Sequence, residues 1–156
     1  MGNIYTTMGL MSGTSLDGVD VSIIRSDGQR EYSSILNKYY KYGDVLIQKI
    51  LKIREKISSP EDLIRYSSEL NALERDITLF HSEVVNKTLK ISKTTVDLIG
   101  FHGQTIYHNP ERKVSIQLGD PKKLSKMLNK NVIFDFRSND ISMGGQGAPL
   151  APIYHK

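Results

Sequence analysis

The stretch from Gly9 to Asp20, Gly-Leu-Met-Ser-Gly-Thr-Ser-Leu-Asp-Gly-Val-Asp, sets small, hydroxylated and acidic residues between two apolar runs. Tyr5–Met11 and Val19–Arg25 both read as strands, which makes the polar segment the tip of a β-hairpin. Backbone N–H groups freed by Gly13 and Gly18, with the hydroxyls of Ser12, Thr14 and Ser15, would point into one concavity facing an open cleft. That is the composition of a turn that holds phosphate, and Asp17 or Asp20 could hold Mg²⁺ through water. An ordinary glycine-rich turn is the alternative. No Gly-Lys-Ser/Thr follows, and the Gly-x-Gly-x-x-Gly spacing is absent, so the segment is neither a Walker loop nor a dinucleotide fingerprint.

The hairpin continues into a third strand-like run, Glu31–Asn37, across the turn Ser26-Asp27-Gly28, so three antiparallel strands open the fold. Asp44 can cap a helix in which Leu46, Ile47, Ile50, Leu51 and Ile53 recur at helical spacing, ending near Ser58-Ser59-Pro60. Ser59 as N-cap, with Pro60 after it and Asp62 three residues on, starts a second helix. Leu63, Tyr66, Leu70, Leu73, Ile77, Phe80 and Val84 alternate gaps of three and four, predicting one continuous helix to about Ser92. Its stripe would pack in the core, the alternative being a coiled-coil dimer seam. Val96–Phe101 and Val114–Leu118 read as strands, Pro121–Leu128 as a short helix capped by Asp120, and Asn131–Phe136 as a last strand, after which the chain turns loop-like. This order implies an α/β fold with a mixed β-sheet and flanking helices.

A chain of 156 residues is long enough for one domain with a substantial core. Its formal charge of +4 is spread over scattered Lys and Arg, a pattern that argues against nucleic acid as partner. The absence of cysteine excludes disulfides and thiolate metal sites and fits a reducing cytoplasm. No apolar run approaches ~18 residues, so membrane spanning is unsupported.

Three blocks together resemble the anhydro-N-acetylmuramic acid kinase family, sugar kinases with the actin, hexokinase and Hsp70 type of ATPase fold. They are Gly9 to Asp20, then Ile99-Gly100-Phe101-His102-Gly103-Gln104-Thr105-Ile106-Tyr107-His108, then Asp135-Phe136-Arg137 through Asp140 to Gly144-Gly145-Gln146-Gly147-Ala148-Pro149-Leu150. The resemblance covers nearly the whole chain but only the first part of the family's length. It implies the N-terminal domain, residues 1–156, of an actin-like (ribonuclease H-like) two-domain kinase. The C-terminal domain, with the catalytic Asp, the second phosphate loop and the adenine pocket, would lie beyond Lys156.

By this resemblance Gly13, Thr14, Ser15, Leu16, Asp17, Gly18, Val19 and Asp20 would cradle ATP, with Asp17 and Asp20 orienting Mg²⁺ through water. His102, Gly103, Gln104, Thr105, Arg137 and Asp140 would face an amino sugar. Gln104 and Thr105 offer donors and acceptors suited to hydroxyl and acetamido groups, and Gly103 permits close backbone approach, at what reads as the carboxyl edge of a strand. His102 is equally readable as a hydrogen-bonded scaffold residue. Arg137 can clasp a carboxylate, such as a lactyl group, by two parallel hydrogen bonds; an ordinary salt bridge to Asp135 or Asp140 is the other reading. Ser138-Asn139 departs from the more arginine-rich family pattern. Gly144-Gly145-Gln146-Gly147 reads as a mobile or substrate-facing turn, or a linker. The partners implied are ATP, an amino sugar, and a C-terminal half or a second copy of the chain. A non-catalytic remnant or ligand-binding domain is the rival reading.

Overall fold

A computed structural model describes residues 3–149; Leu150, which ends the third block, and the tail from Ala151 to Lys156, with His155, lie outside the described residues. The chain opens with three antiparallel strands, β1 (Tyr5–Ser12), β2 (Gly18–Ser26) and β3 (Tyr32–Lys41). Two helices follow, α1 (Asp44–Lys56) and α2 (Pro60–Arg65), then the long α3 (Ser67–Ser92). β4 (Leu98–Asn109) and β5 (Val114–Leu118) form a hairpin, and α4 (Pro121–Leu128), β6 (Asn131–Phe134) and the short α5 (Ser138–Ser142) complete the described fold.

The sheet has six strands in the order β3-β2-β1-β4-β5, with β6 also pairing with β4, so β4 has three partners along its length. Its first half, Leu98–Phe101, runs parallel to both β1 and β6; its second half, Gln104–Asn109, pairs antiparallel with β5. The parallel pairing of β1, β4 and β6 therefore ends at one edge, where open α/β sheets present their ligand sites. Side chains alternate across the pleat. Met8, Leu10, Val21, Ile23, Ile99 and Phe101 are buried and cluster with Ile50 and Ile53 of α1 and with Leu70, Leu73, Ile77, Val84 and Val85 of α3. Burying each such side chain contributes roughly 1.5–3 kcal/mol. The opposite set, Gly9, Met11, Asp20, Ser22, Gly100 and His102, lines the cleft described below.

Several sequence boundaries move. β3 reaches Lys41 rather than Asn37, because its backbone ladder to β2 holds past the end of the apolar pattern, with Gly18 opposite Lys41. Gly43, not Asp44, caps α1: the Gly43 carbonyl accepts from Leu46 and Ile47, and Asp44 sits in the first turn, where a carboxylate favours the helix dipole. The helix expected to be continuous through Tyr66 is two helices. Tyr66 takes φ −102 and ψ 21, bending the axis even though its N–H still reaches the Asp62 carbonyl. The stripe beyond the bend behaves as core, with Leu70, Leu73, Ile77 and Val84 buried within the same chain. Asp120 caps α4 as its sequence indicates, accepting from the Lys123 N–H at 2.9 Å. β6 stops at Phe134, because Asp135 turns into the left-handed region at φ 59, and the following loop contains α5.

Candidate active site

Three carbonyls of the hairpin tip point inward and are held from behind. Gln104 Nε2 donates to the Gly13 carbonyl (2.6 Å), Arg54 Nη1 to the Thr14 carbonyl (3.1 Å), and the Tyr42 N–H to the Asp17 carbonyl (3.0 Å). Thr14, Ser15 and Asp17 are exposed. The Ser15 hydroxyl donates to the Asp17 carboxylate, and this bond, ahead of local backbone N–H groups, holds Asp17 below the usual carboxylate range. Tyr39 of β3, opposite Asp20 in the ladder, is raised first by desolvation and then by the negative charges of Asp17 and Asp20. Exposed oxygen ligands of this kind suit a hydrated Mg²⁺. Among the described residues no group of three His, Asp or Glu side chains converges as a metal cluster.

The side chains of the other tip residues point into the protein or are absent for lack of room. Ser12 is fully buried and donates inward to the Gly103 carbonyl (2.9 Å). Leu16, at φ 61, and Val19 belong to the hydrophobic core. Gly18 is required by packing: a Cβ there would collide with the backbone of Tyr40 and Lys41 on β3.

The strand expected to end before His102 instead runs on through the whole block to Asn109, and it carries a β-bulge. Leu10 pairs with Phe101 but Ser12 pairs with Gln104, so β4 spends one more residue than β1 over the same span. Gly103 supplies the needed backbone at φ 74, where a Cβ would also come within 2.7 Å of the Leu118 carbonyl oxygen. The extra residue reverses the side-chain parity. His102 stays on the cleft side, whereas Gln104 turns into the interior; Thr105, also buried, has its hydroxyl beside Gln117 of β5. Gln104 is saturated there, accepting from the Tyr42 hydroxyl (3.0 Å) while donating to Gly13 and Thr105 carbonyls. Neither Gln104 nor Thr105 lines the cleft expected to meet sugar.

His102 and Arg137 do line it. Arg137 Nε donates to His102 Nε2 (2.7 Å), which requires the His102 proton on Nδ1, where it is donated to the Gly103 carbonyl (2.7 Å). Burial, chiefly, lowers the His102 pKa and keeps this neutral form; burial also lowers Arg137. Arg137 Nη1 reaches the Gly147 carbonyl (2.6 Å), and neither Asp135 nor Asp140 forms a salt bridge with it among the described residues. Nη2 carries no bond to a described residue. The Asp140 carboxylate accepts from the Gly147 N–H (2.7 Å), so it clasps the Gly144–Gly147 loop instead of facing the cleft. The cleft itself encloses about 410 Å³ at the ends of β1, β4 and β6, with Gly9 and Gly100 as floor, Met11 and Phe136 as apolar walls, and Asp20 and Arg137 as charged groups.

Sequence reasoning missed Tyr42, Arg54 and His81. His81, fully buried on α3, bonds the Ile77 carbonyl through Nδ1 (2.8 Å) and sits 3.3 Å from the Ser12 hydroxyl through Nε2. Burial lowers it to about 4, so it is neutral. Burial likewise pushes Tyr42 up to about 12. No local pattern marks these residues, since each has at least one partner on another element: Gln104 and Asp17 for Tyr42, Thr14 for Arg54 and Ser12 for His81.

A family model described as anhydro-N-acetylmuramic acid kinase matches residues 5–156. The chain belongs to that family. It is 54% identical over 155 residues to the anhydro-N-acetylmuramic acid kinase of Pelagibacter ubique, covering 99% of this chain and 41% of that protein. It is 41% identical to the kinase of the same name from Rhodopseudomonas palustris strain BisB18, covering 97% of this chain and 42% of the relative. For that of Agrobacterium fabrum the identity is 39%, with 99% and 42% covered. The chain thus spans about two fifths of the length of these curated relatives. Its mixed sheet with flanking helices is the architecture of an actin-like ATPase N-terminal domain. Among the described residues no helix is long and apolar enough to cross a membrane.

Proposed function

We propose that this anhydro-N-acetylmuramic acid kinase family chain is the N-terminal domain of a two-domain cytoplasmic kinase. The enzyme would use ATP to phosphorylate 1,6-anhydro-N-acetylmuramic acid, with water adding across the anhydro bond and the released 6-oxygen receiving the γ-phosphoryl group, in recycling of cell-wall sugar. One observation carries the reading: the tip, with its carbonyls pulled inward, and the Arg137 cleft meet at the same end of β1, β4 and β6. Thr14 and Ser15 would receive ATP phosphates on backbone N–H and hydroxyl groups. Asp17 and Asp20 would hold Mg²⁺ through water, an ion that offsets charge on the transferring phosphoryl. In the cleft Arg137, directed by neutral His102, would clasp the lactyl carboxylate with Nη2. The base that takes the proton from the attacking water would come from the C-terminal domain, so the other partner of this chain is that half.

Titration of the ¹⁵N-labelled chain tests this. Mg-ATP is expected to shift the Thr14 and Ser15 amides, and the anhydro sugar those of His102 and Gly147; shifts at neither pair overturn the reading. The chain alone is expected to release no ADP from Mg-ATP and sugar, because phosphoryl transfer needs both reactants and the base aligned. Turnover that disappears in Asp17→Ala would show that no second half is needed.

A further inference from the structure

A trans peptide unit is planar, so the carbonyl of one residue and the N–H of the next point in opposite directions. The Gly13 carbonyl is drawn into the protein by Gln104 Nε2, which turns the Thr14 N–H outward. The Thr14 carbonyl is drawn toward α1 by Arg54 Nη1, which turns the Ser15 N–H outward. Neither amide donates to a described residue. Gln104 cannot swing away or reverse its amide at no cost, because its Oε1 accepts from Tyr42, itself fully buried against the Phe80 ring at 4.9 Å. Tyr42 also fixes the far end of the tip through its own N–H to the Asp17 carbonyl. Tyr42 thus ties both ends of the loop to one buried network, one end through its hydroxyl and Gln104, the other through its backbone N–H, and the Gly103 bulge makes this possible by turning Gln104 to the interior.

We propose that Gln104 and Arg54 are positioning residues that aim the Thr14 and Ser15 amides, and so set the affinity of the tip for the polyphosphate of a nucleotide. Gln104 acts at the tip from beneath it, and contact with the sugar is no part of its role. The proposal rests on the reading of the tip as a phosphate site.

The test uses the ¹⁵N-labelled 156-residue chain titrated with Mg-ADP. In the unaltered chain the Thr14 and Ser15 amides shift and give a dissociation constant. Gln104→Met keeps the side-chain length but removes the donor, and is expected to raise that constant about tenfold. Arg54→Met, on the half-exposed face of α1, threatens folding least and is expected to act in the same direction, while Arg54→Lys restores part of the affinity. Tyr42→Phe frees the Gln104 amide and should give a smaller loss of about threefold. Ile50→Val, a core change in α1 that touches no tip contact, should lower the melting temperature without moving the constant. The proposal is overturned if Gln104→Met and Arg54→Met bind as the unaltered chain does, or if Ile50→Val weakens binding as much as they do. Absence of any Thr14 or Ser15 shift in the unaltered chain overturns instead the phosphate-site reading beneath it.

Discussion

The tip at Gly13–Asp17 and the loop at Gly144–Pro149 both lie at the end of the sheet where the parallel pairing of β1, β4 and β6 stops, and both are poor in large side chains, yet they are held by opposite means. The tip is fixed from a distance: Gln104, Arg54 and Tyr42 reach it from β4, α1 and the β3–α1 junction. The second loop is fixed largely from within, Asp140 accepting from the Gly147 N–H and Arg137 donating to the Gly147 carbonyl, and only His102 is remote. Short-range bonds can form before the rest of the fold assembles, whereas the tip acquires its shape only when β1, β4 and α1 have packed. Damage to the core should therefore loosen the tip and spare the second loop.

Tyr42→Ala should separate the two loops most. It empties a buried ring site and orphans Gln104, and should cost roughly 3–5 kcal/mol by urea denaturation. Amide exchange should speed up at the tip and stay unchanged at Gly147. A uniform loss of protection would abolish the distinction.

Acid tests the same network by charge. His81 is held neutral with its pKa near 4, against 6.5 for the unfolded chain. The unfolded state then binds the extra proton first, so stability is full above about pH 6.5 and is lost progressively as pH falls toward 4. His81 contributes roughly 3 kcal/mol to that loss, and His102, also lowered, adds in the same direction. Urea midpoints at pH 7.5 and 5 should differ accordingly, and His81→Phe should flatten the slope; an unchanged slope would remove His81 from this role.

Gly147→Ala probes the second loop. It places a Cβ at φ 77 and within 2.8 Å of Ile141 Cδ1, and should cost about 1–3 kcal/mol. Its effect on exchange should be confined to residues 144–149, leaving Thr14 and Ser15 as they are. The mildest change, Asp140→Asn, retains an acceptor for the Gly147 N–H but removes its charge, and is expected to cost about 1 kcal/mol. If it destabilises the protein as much as Tyr42→Ala, the loop is as deeply built in as the tip.

Much of the scaffold is legible locally. Asp120 at its N-cap, the 114–118 strand, the Ser26-Asp27-Gly28 turn and the Leu70, Leu73, Ile77 stripe all express interactions spanning a few residues, so composition and spacing suffice to find them. The placement of Thr14, Ser15 and Asp17 on an exposed tip is legible for the same reason. The second block is not. His102 and Gln104 are two residues apart, and in a regular strand they would share a face. Gly103 makes the reversal possible, but only the pairing of β4 with β1 on one side and β5 on the other decides that a bulge forms there. The partner of Arg137 is likewise a histidine 35 positions away, when two nearby aspartates were the obvious candidates. Most of the elements, the exposed Gly/Thr/Ser turn and the family resemblance can be read from the sequence alone. Tertiary structure decided which polar groups face the cleft and which support it from beneath, because a side chain's direction depends on register between strands distant in sequence, and register is a property of the assembled sheet.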